Sequence, residues 1–113
     1  MDIVICDRDD AVPESVRAYV ERKLAGVIRH LDVIQGARVE FATDARRSRE
    51  PIHTVDIELR LIGSNLEGLR AHEQGRALYS VVDLALDKID REVVQLKEAL
   101  KDANQPSRQR SIS

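Results

Sequence analysis

The sequence has little of several residue types that mark particular classes of protein: its 113 residues include one cysteine, no tryptophan, one phenylalanine and two tyrosines. The single Cys6 cannot form a disulfide within the chain, and its place in the apolar run "IVIC" predicts a small buried apolar residue. No apolar run approaches the roughly 20 residues that span a bilayer. The N-terminal stretch "MDIVICDRDD" has acidic rather than basic flanks, unlike a signal peptide. These absences predict a cytoplasmic protein without a membrane segment.

Signatures of catalysis and of cofactor binding are also missing from the sequence. The five glycines form neither a G-x-G-x-x-G nor a Walker pattern. Three histidines fall on different predicted elements without metal-ligand spacing: His30, His53 and His72. We therefore expect no catalytic residue, no metal, no cofactor and no small-molecule substrate.

Neither sign of charge dominates, since 18 Lys and Arg stand against 20 Asp and Glu, for a formal net charge of -2. Any site for a polyanion must therefore be a local patch. The length suits one domain with one hydrophobic core. The terminal stretch "KDANQPSRQRSIS" shows no periodicity. We expect a folded domain over residues 1–102 and a disordered tail, or the start of a linker, over residues 103–113.

Two segments have the three-and-four spacing of amphipathic helices. The first is predicted from about residue 13 to residue 31, with Pro13 in its first turn, and the second begins at about residue 76. The apolar stripe of the first helix is Val16, Val20, Leu24, Val27 and Leu31. The stripe of the second is Leu78, Val82, Ala85, Ile89, Val93, Leu96 and Leu100.

Four other segments have the features of strands. Residues 2–6 are short and β-branched, which predicts a strand buried on both faces. Residues 37–43, 52–62 and 66–73 alternate between apolar and polar side chains, and "GSN" at 63–65 supplies turn residues between the last two. The predicted inward side chains are Val39, Phe41, Thr43, Val55, Ile57, Leu59, Leu61, Leu69 and Ala71.

The resulting order is β-α-β-β-β-α, which predicts an α+β fold. Short loops make the last three strands an antiparallel meander, whereas the first strand reaches the second through a helix and should pair with it in parallel. Each helix has one apolar stripe and each later strand one apolar face. A two-layer sandwich satisfies all of them, with a four-stranded mixed sheet, both helices on one face and the charged face in solvent.

Basic side chains fall on the sides of both helices. On the first, Arg22 and Arg29 point away from the stripe and Lys23 lies near its border. On the second, Lys88 and Arg91 lie one turn apart on one flank of the stripe. Two helices on one sheet face can thus present basic side chains along the groove between them and around the ends of the helices. Interspersed acidic residues leave an ordinary solvated surface as the alternative.

The last predicted helix resembles that of a known family, the ribosome hibernation-promoting factors and ribosome-associated inhibitors. In "YSVVDLALDKIDREVVQLK", the positions that match are Tyr79, Asp83, Lys88, Arg91 and Lys97. In "VRAYVERKLAGVIRHL" they are Lys23 and Arg29, and Arg8 stands where the family has a basic residue after the first strand. The resemblance covers about residues 2–101. It implies a fold similar to double-stranded RNA-binding domains, in agreement with the order derived above.

The resemblance also implies a function: binding to the small ribosomal subunit and its ribosomal RNA, and blocking of the messenger and transfer RNA sites under stress or in stationary phase. The candidate RNA-binding residues are Arg8, Arg22, Lys23, Arg29, Lys88, Arg91 and Lys97. The few aromatic side chains favour backbone contacts over base stacking. Two features depart from the family pattern: Gly26, where many members have Lys, and the acidic segment "DRDDAVPES".

Other functions stay open at this stage. A protein-interaction module could regulate transcription, or another partner, through its sheet edge or its charged face. A small-molecule sensor would need a cleft that the sequence does not indicate. The sequence is also compatible with weak self-association, and with either a short family member or the N-terminal domain of a longer one.

Overall fold

A computed structural model describes residues 2–46, 50–63 and 68–103. Its elements follow the predicted order β-α-β-β-β-α. They are β1 (Asp2–Asp7), α1 (Glu14–Ile28), β2 (Ile34–Asp44), β3 (Ile52–Leu61), β4 (Leu69–Gly75) and α2 (Leu78–Ala103). The tail after residue 103 and part of the turn predicted at 63–65 lie outside the described residues.

The strands form one four-stranded sheet in the order β1-β2-β3-β4. β1 pairs with β2 in parallel, and the other two pairs are antiparallel, as predicted. The register places Val39 opposite Ile57 and Ile57 opposite Ala71, so apolar side chains from three strands meet on one face. Because side chains alternate along a strand, this register leaves the neighbouring charged residues on the other face.

The core lies between that face and the two helices. α1 packs over β1 and β2, and α2 packs over β3 and β4. The buried helix residues belong to the same apolar cluster as the inward side chains of the sheet. They are Val16, Val20, Leu24 and Ile28 on α1, and Val81, Val82, Ala85, Leu86, Ile89 and Val93 on α2. The predicted two-layer α+β fold is therefore confirmed.

The first strand differs from its prediction. β1 pairs only with β2 among the described strands, so it is an edge strand. Only one of its two faces is covered. Ile3 and Ile5 pack against the core, whereas Val4 on the opposite face is 47% exposed. Cys6 is half-buried and not fully enclosed. A short apolar run fits either a central or an edge strand, since both have at least one covered face.

The predicted first helix was also too long. Its last residue is Ile28, and Leu31 donates its backbone N–H to the carbonyl of Ile28 at 3.3 Å, a three-residue turn and not a further helical turn. Ile28, which is not part of the predicted stripe, is buried in the core. Leu31, which is part of that stripe, is half-buried and packs at the edge of the core. α2 begins at Leu78, two residues later than predicted.

Candidate nucleic-acid interface

Two grooves flank α2 on the surface of the molecule. We call the first the inter-helix groove; its polar and charged lining residues are Tyr19, Lys23 and His30 of the α1 side and Asp83, Asp87 and Asp90 of α2. We call the second the β4–α2 groove; it is lined by Arg70, Ala71 and His72 of β4 and by Lys88, Arg91, Glu92 and Gln95 of α2. Three of the seven predicted basic residues line these grooves: Lys23 lines the first, and Lys88 and Arg91 line the second.

A cluster of hydroxyl and aromatic groups joins α1 to α2 at the inter-helix groove. The Tyr19 hydroxyl donates a 2.6 Å hydrogen bond to Oδ1 of Asp83. The rings of Tyr19 and Tyr79 meet edge to face, with centroids 6.4 Å apart. The Tyr79 hydroxyl lies 3.2 Å from Oγ of Ser15. Tyr79 and Asp83, two of the residues that carried the family resemblance, therefore connect the two helices.

The Tyr19 ring also lies beside two cations of its own helix. The guanidinium of Arg22 is 5.9 Å from the ring centroid, and the ammonium of Lys23 is 5.7 Å away. Both distances fall within the range of cation–π attraction, which favours side-chain positions over the ring. Arg22 and Lys23 are both exposed, so this attraction holds two positive charges at the outer rim of the groove.

The hydrogen bond to Asp83 raises the pKa of the Tyr19 hydroxyl above its ordinary value. Partial desolvation of the hydroxyl and the negative charge of Asp83 act in the same direction, while the positive charge of Arg22 opposes them. The hydroxyl therefore stays protonated at neutral pH and remains the donor to the carboxylate.

The charge of the inter-helix groove is mixed and not uniformly basic. Its α2 side presents Asp83, Asp87 and Asp90, which follow one another at helical spacing along the flank that faces α1. Lys88 and Arg91 lie on the opposite flank of α2 and line the β4–α2 groove. The expectation that they would line the groove between the helices was therefore wrong; only Lys23, among the candidates, lines it.

Lys88 is held against β4 by two contacts. Its ammonium lies 2.5 Å from a carboxylate oxygen of Glu73 and donates to the carbonyl of His72 at 3.4 Å. The Lys88 side chain is still 49% exposed. Arg91 donates its Nε–H to the carbonyl of Asp87, one turn earlier, at 3.4 Å, and its residue is exposed. Lys88 must therefore give up an ion pair to bind another anion, whereas the charge of Arg91 has no carboxylate partner among the described residues.

The three remaining candidates lie outside both grooves. Arg29 caps the C-terminal end of α1, and Lys97 lies in the last turns of α2; both are exposed. Arg8 lies apart from the helices, because its guanidinium contacts Glu40 at 2.6 Å on the outer face of the sheet. The structure thus brings Arg22 together with Lys23, and Lys88 together with Arg91, but not all seven candidates.

Sequence reasoning missed several residues that shape these grooves: Tyr19, Arg70, His72 and Glu73. The alternation of side chains along the fourth strand could have identified Arg70 and His72, because it places both on the outward face. The sequence contains no pattern that predicts the ion pair between Glu73 and Lys88, because a contact between a strand and a helix depends on how the helix is rotated over the sheet.

Within residues 2–46, 50–63 and 68–103, no group of three or more His, Cys, Asp or Glu side chains is placed to hold a metal ion. Among the helices that the structure describes, none is both long enough and apolar enough to cross a membrane.

The sequence matches the profile of one protein family over residues 3–101, namely sigma 54 modulation protein / S30EA ribosomal protein. It is 32% identical over 90 residues to the ribosome hibernation promotion factor of Deinococcus radiodurans, covering 80% of this chain and 46% of that protein. It is 28% identical over 87 residues to the ribosome hibernation promoting factor of Azotobacter vinelandii, covering 77% and 74%. The chain thus spans about half the length of the first relative.

Solved structures share the fold. A ribosomal subunit interface protein from Coxiella burnetii superposes with a TM-score of 0.69 at 20% identity, covering 87% of this chain and 99% of that one. The N-terminal domain of Protein Y from Thermus thermophilus gives a TM-score of 0.67 at 26% identity, covering 85% and 99%. These similarities support the arrangement of sheet and helices described above.

Proposed function

The chain belongs to the sigma 54 modulation protein / S30EA ribosomal protein family, and we propose that it acts as a ribosome hibernation factor. It binds the small ribosomal subunit through basic residues of its two helices and blocks the messenger and transfer RNA sites under stress or in stationary phase. It acts by occupying these sites and not by catalysis.

One observation carries this proposal: five of the seven candidate side chains are exposed and have no ion pair among the described residues. They are Arg22, Lys23, Arg29, Arg91 and Lys97. A cation without a carboxylate partner can bind a phosphate without first breaking an ion pair, so its contribution to affinity is not offset by the loss of one. The chain as a whole is slightly acidic, so helix cations that lack an acidic partner are informative.

The predicted contacts are with the RNA backbone. Arg can fork onto two phosphate oxygens, while Lys acts as a point charge. Base stacking is a minor term, because Tyr19 and Tyr79 pack against each other at the groove and so do not present a row of free rings. We therefore expect recognition of RNA shape and charge more than of base sequence.

A protein-interaction module is the alternative, and one observation favours it. β1 is an edge strand whose outer side has no partner strand among the described residues, and its Val4 is 47% exposed. An uncovered apolar edge can accept a strand from another protein. Binding of that kind would depend on apolar contacts and backbone hydrogen bonds more than on basic side chains.

Co-sedimentation with isolated small and large ribosomal subunits at increasing salt separates the two functions. Five phosphate contacts predict that the logarithm of the affinity for the small subunit falls with the logarithm of salt at a slope of about −3 to −5. Binding that is nearly independent of salt, or that prefers the large subunit, would contradict the proposal. Blocking is tested separately: the protein and initiator transfer RNA should exclude each other from the small subunit.

A further inference from the structure

The β4–α2 groove is the more strongly basic of the two grooves that flank α2. Four of its side chains are basic or can become so: Arg70, His72, Lys88 and Arg91. Among the described residues that line it, Glu92 is the one acidic side chain. Three further carboxylates lie beside the groove in contact with its basic residues: Glu73 with Lys88, Glu58 with Arg70 and Asp56 with His72. The inter-helix groove instead presents three aspartates from α2. The lining residues of the β4–α2 groove thus carry three fixed positive charges against one negative charge, whereas those of the inter-helix groove carry one against three.

We propose that the β4–α2 groove is a path for an RNA phosphate backbone, and that Arg70 and His72 of β4 extend the RNA-binding surface from α2 onto the edge of the sheet. This inference rests on the proposed ribosome binding and adds two residues that the family resemblance did not single out. It also adds an RNA contact across α2 and β4 to those proposed for Arg22, Lys23 and Arg29 on the α1 side.

The contacts of Arg70 allow this role. Its guanidinium pairs with Glu58 at 2.7 Å, but its side chain is 78% exposed, and exposed ion pairs of this kind contribute little. A phosphate can therefore take the place of Glu58 at small cost. Arg70 follows the alternation of β4 and lies on a rigid, paired strand, opposite Glu58 in the register. Its position relative to Lys88 and Arg91 is fixed by the packing of α2 on β4.

His72 is a weaker member of the same surface. Its Nδ1 lies 2.5 Å from Oδ1 of Asp56, and its backbone carbonyl accepts from Lys88. The ring has a second nitrogen, so it can donate one hydrogen bond to a phosphate while it keeps its contact with Asp56. We expect its contribution to affinity to be smaller than that of Arg70, because a neighbouring carboxylate offsets any positive charge on the ring.

The chain offers a matched control in Arg38. This arginine also lies on the outer face of the sheet and pairs with a glutamate, Glu40, at 3.6 Å, with its side chain 55% exposed. It belongs to β2, two strands away from β4, which corresponds to about 10 Å. Arg38 lines an outer-face cleft together with Arg70 and His72, but it does not line the β4–α2 groove. Arg38→Ala therefore makes the same change in net charge outside that groove.

The test compares binding of wild-type, Arg70→Ala and Arg38→Ala proteins to small ribosomal subunits over a series of salt concentrations. We expect Arg70→Ala to weaken binding by about three- to tenfold and to reduce the salt slope by about one, as the loss of one phosphate contact does. Arg38→Ala should leave the affinity within about twofold of the wild-type value and the salt slope unchanged within error. Circular dichroism and the unfolding midpoint confirm that both variants fold.

Equal salt slopes and affinities for the two variants would overturn the assignment of Arg70, while leaving salt-dependent binding of the wild type, and so the proposed function, intact. Failure of the wild-type protein to bind the small subunit would overturn both. As an amplified version of the test, Arg70→Glu should weaken binding further than Arg70→Ala, since it adds repulsion to the lost attraction.

Discussion

The hydroxyl of Tyr19 on α1 and the carboxylate of Asp83 on α2 share a 2.6 Å hydrogen bond across 64 residues of sequence. Apolar packing alone leaves two helices some freedom to slide and rotate, whereas a hydrogen bond between defined atoms fixes one relative position. Beside this bond lie Arg22 and Lys23, which the Tyr19 ring attracts. The contact between the helices and the presentation of two basic side chains therefore depend on the same tyrosine.

Removal of the Tyr19 hydroxyl should destabilise the protein in a pH-dependent way. The folded state raises the pKa of Tyr19 above its ordinary value of 10.0. A raised pKa means that the contribution of the hydroxyl is fully present below pH 10 and is lost as pH rises through the folded-state pKa. The difference in unfolding free energy between the wild type and Tyr19→Phe should therefore shrink at high pH. Urea unfolding over a pH series measures it.

Asp83→Asn supplies the control for this experiment, because it removes the carboxylate that raises the pKa of Tyr19. In the Asp83→Asn background, Tyr19→Phe should cost less and its cost should vary less with pH. A difference between wild type and Tyr19→Phe that stays constant or grows above pH 10 would show that the hydrogen bond does not link the helices in solution.

Ile89 lies at the centre of the buried stripe of α2 and is fully enclosed. Ile89→Ala should cost about 2 to 5 kcal/mol, from lost burial and the cavity left behind. A total stability of about 5 to 15 kcal/mol is typical, so the change threatens the fold. Val94→Ala on the same helix is the control, since Val94 is 49% exposed and its loss should cost less than about 0.5 kcal/mol. Similar denaturation midpoints for the two variants would mean that the helix is rotated from its described orientation.

Gly26 departs from the family pattern at a position that faces the inter-helix groove. A Cβ built on Gly26 meets no atom within 4 Å, so the structure leaves room for a larger side chain. Gly26→Ala should stabilise the protein by about 0.5 to 1 kcal/mol through helix propensity. Gly26→Lys should stabilise it by a similar amount and also bind small subunits about two- to fivefold more tightly, since it adds a cation beside Lys23.

The comparison of Gly26→Ala with Gly26→Lys separates helix propensity from charge. Equal ribosome affinities for the two variants, at matched stability, would show that the inter-helix groove does not approach RNA. That result would agree with an RNA path over the β4–α2 groove.

Glu73 restrains Lys88 by an ion pair, so its neutralisation should release a cation for RNA. Glu73→Gln should bind small subunits about two- to fivefold more tightly than the wild type at low salt. Glu98→Gln makes the same change of net charge at an exposed position of α2, and its effect should be smaller. Affinity that rises equally in both variants would indicate a general effect of net charge, and Lys88 would then have no special role.

Periodicity in the sequence predicted most of the fold. The alternation along β3 placed Val55, Ile57 and Leu59 inward, and each is buried. The stripe of α2 gave Val82 and Ile89, but the buried surface is wider and also includes Leu86. A helix that packs on two strands and on a second helix buries a face wider than a narrow stripe. The number of elements that will pack against a helix cannot be predicted from the sequence of that helix.

Edges and ends were less predictable. The run "IVIC" has the same composition as a central strand, and only the sheet order shows that β1 lies at the edge. The end of α1 at Ile28 depends on a turn whose hydrogen bonds compete closely with helical ones. The proposed end of the domain near residue 102 remains a prediction, because residues 104–113 lie outside the described part of the chain.

Individual residues of the candidate site could be predicted from the sequence, but which of them lie together in one groove could not. Helical spacing correctly placed Lys88 and Arg91 off the buried stripe, and both are exposed. Which groove they line depends on where α2 sits over β4, a relation between segments far apart in sequence. Their role in RNA binding, and that of the other candidates, stays a prediction.

The central claim is that the basic flank of α2 binds ribosomal RNA, and paired charge reversals test it most directly. Lys88→Glu with Arg91→Glu should keep the fold, since both residues are exposed and lie outside the apolar core; loss of the Lys88–Glu73 ion pair makes the cost larger than the roughly 0.5 kcal/mol of an uninvolved surface site. A control with Asp87→Lys and Glu98→Lys adds positive charge to the same helix and should bind as well as the wild type or slightly better. Both are measured by co-sedimentation with small subunits at about 0.1 M salt. We predict that the first variant, folded by circular dichroism, fails to sediment with the subunits; folded protein that binds like the wild type would contradict the account.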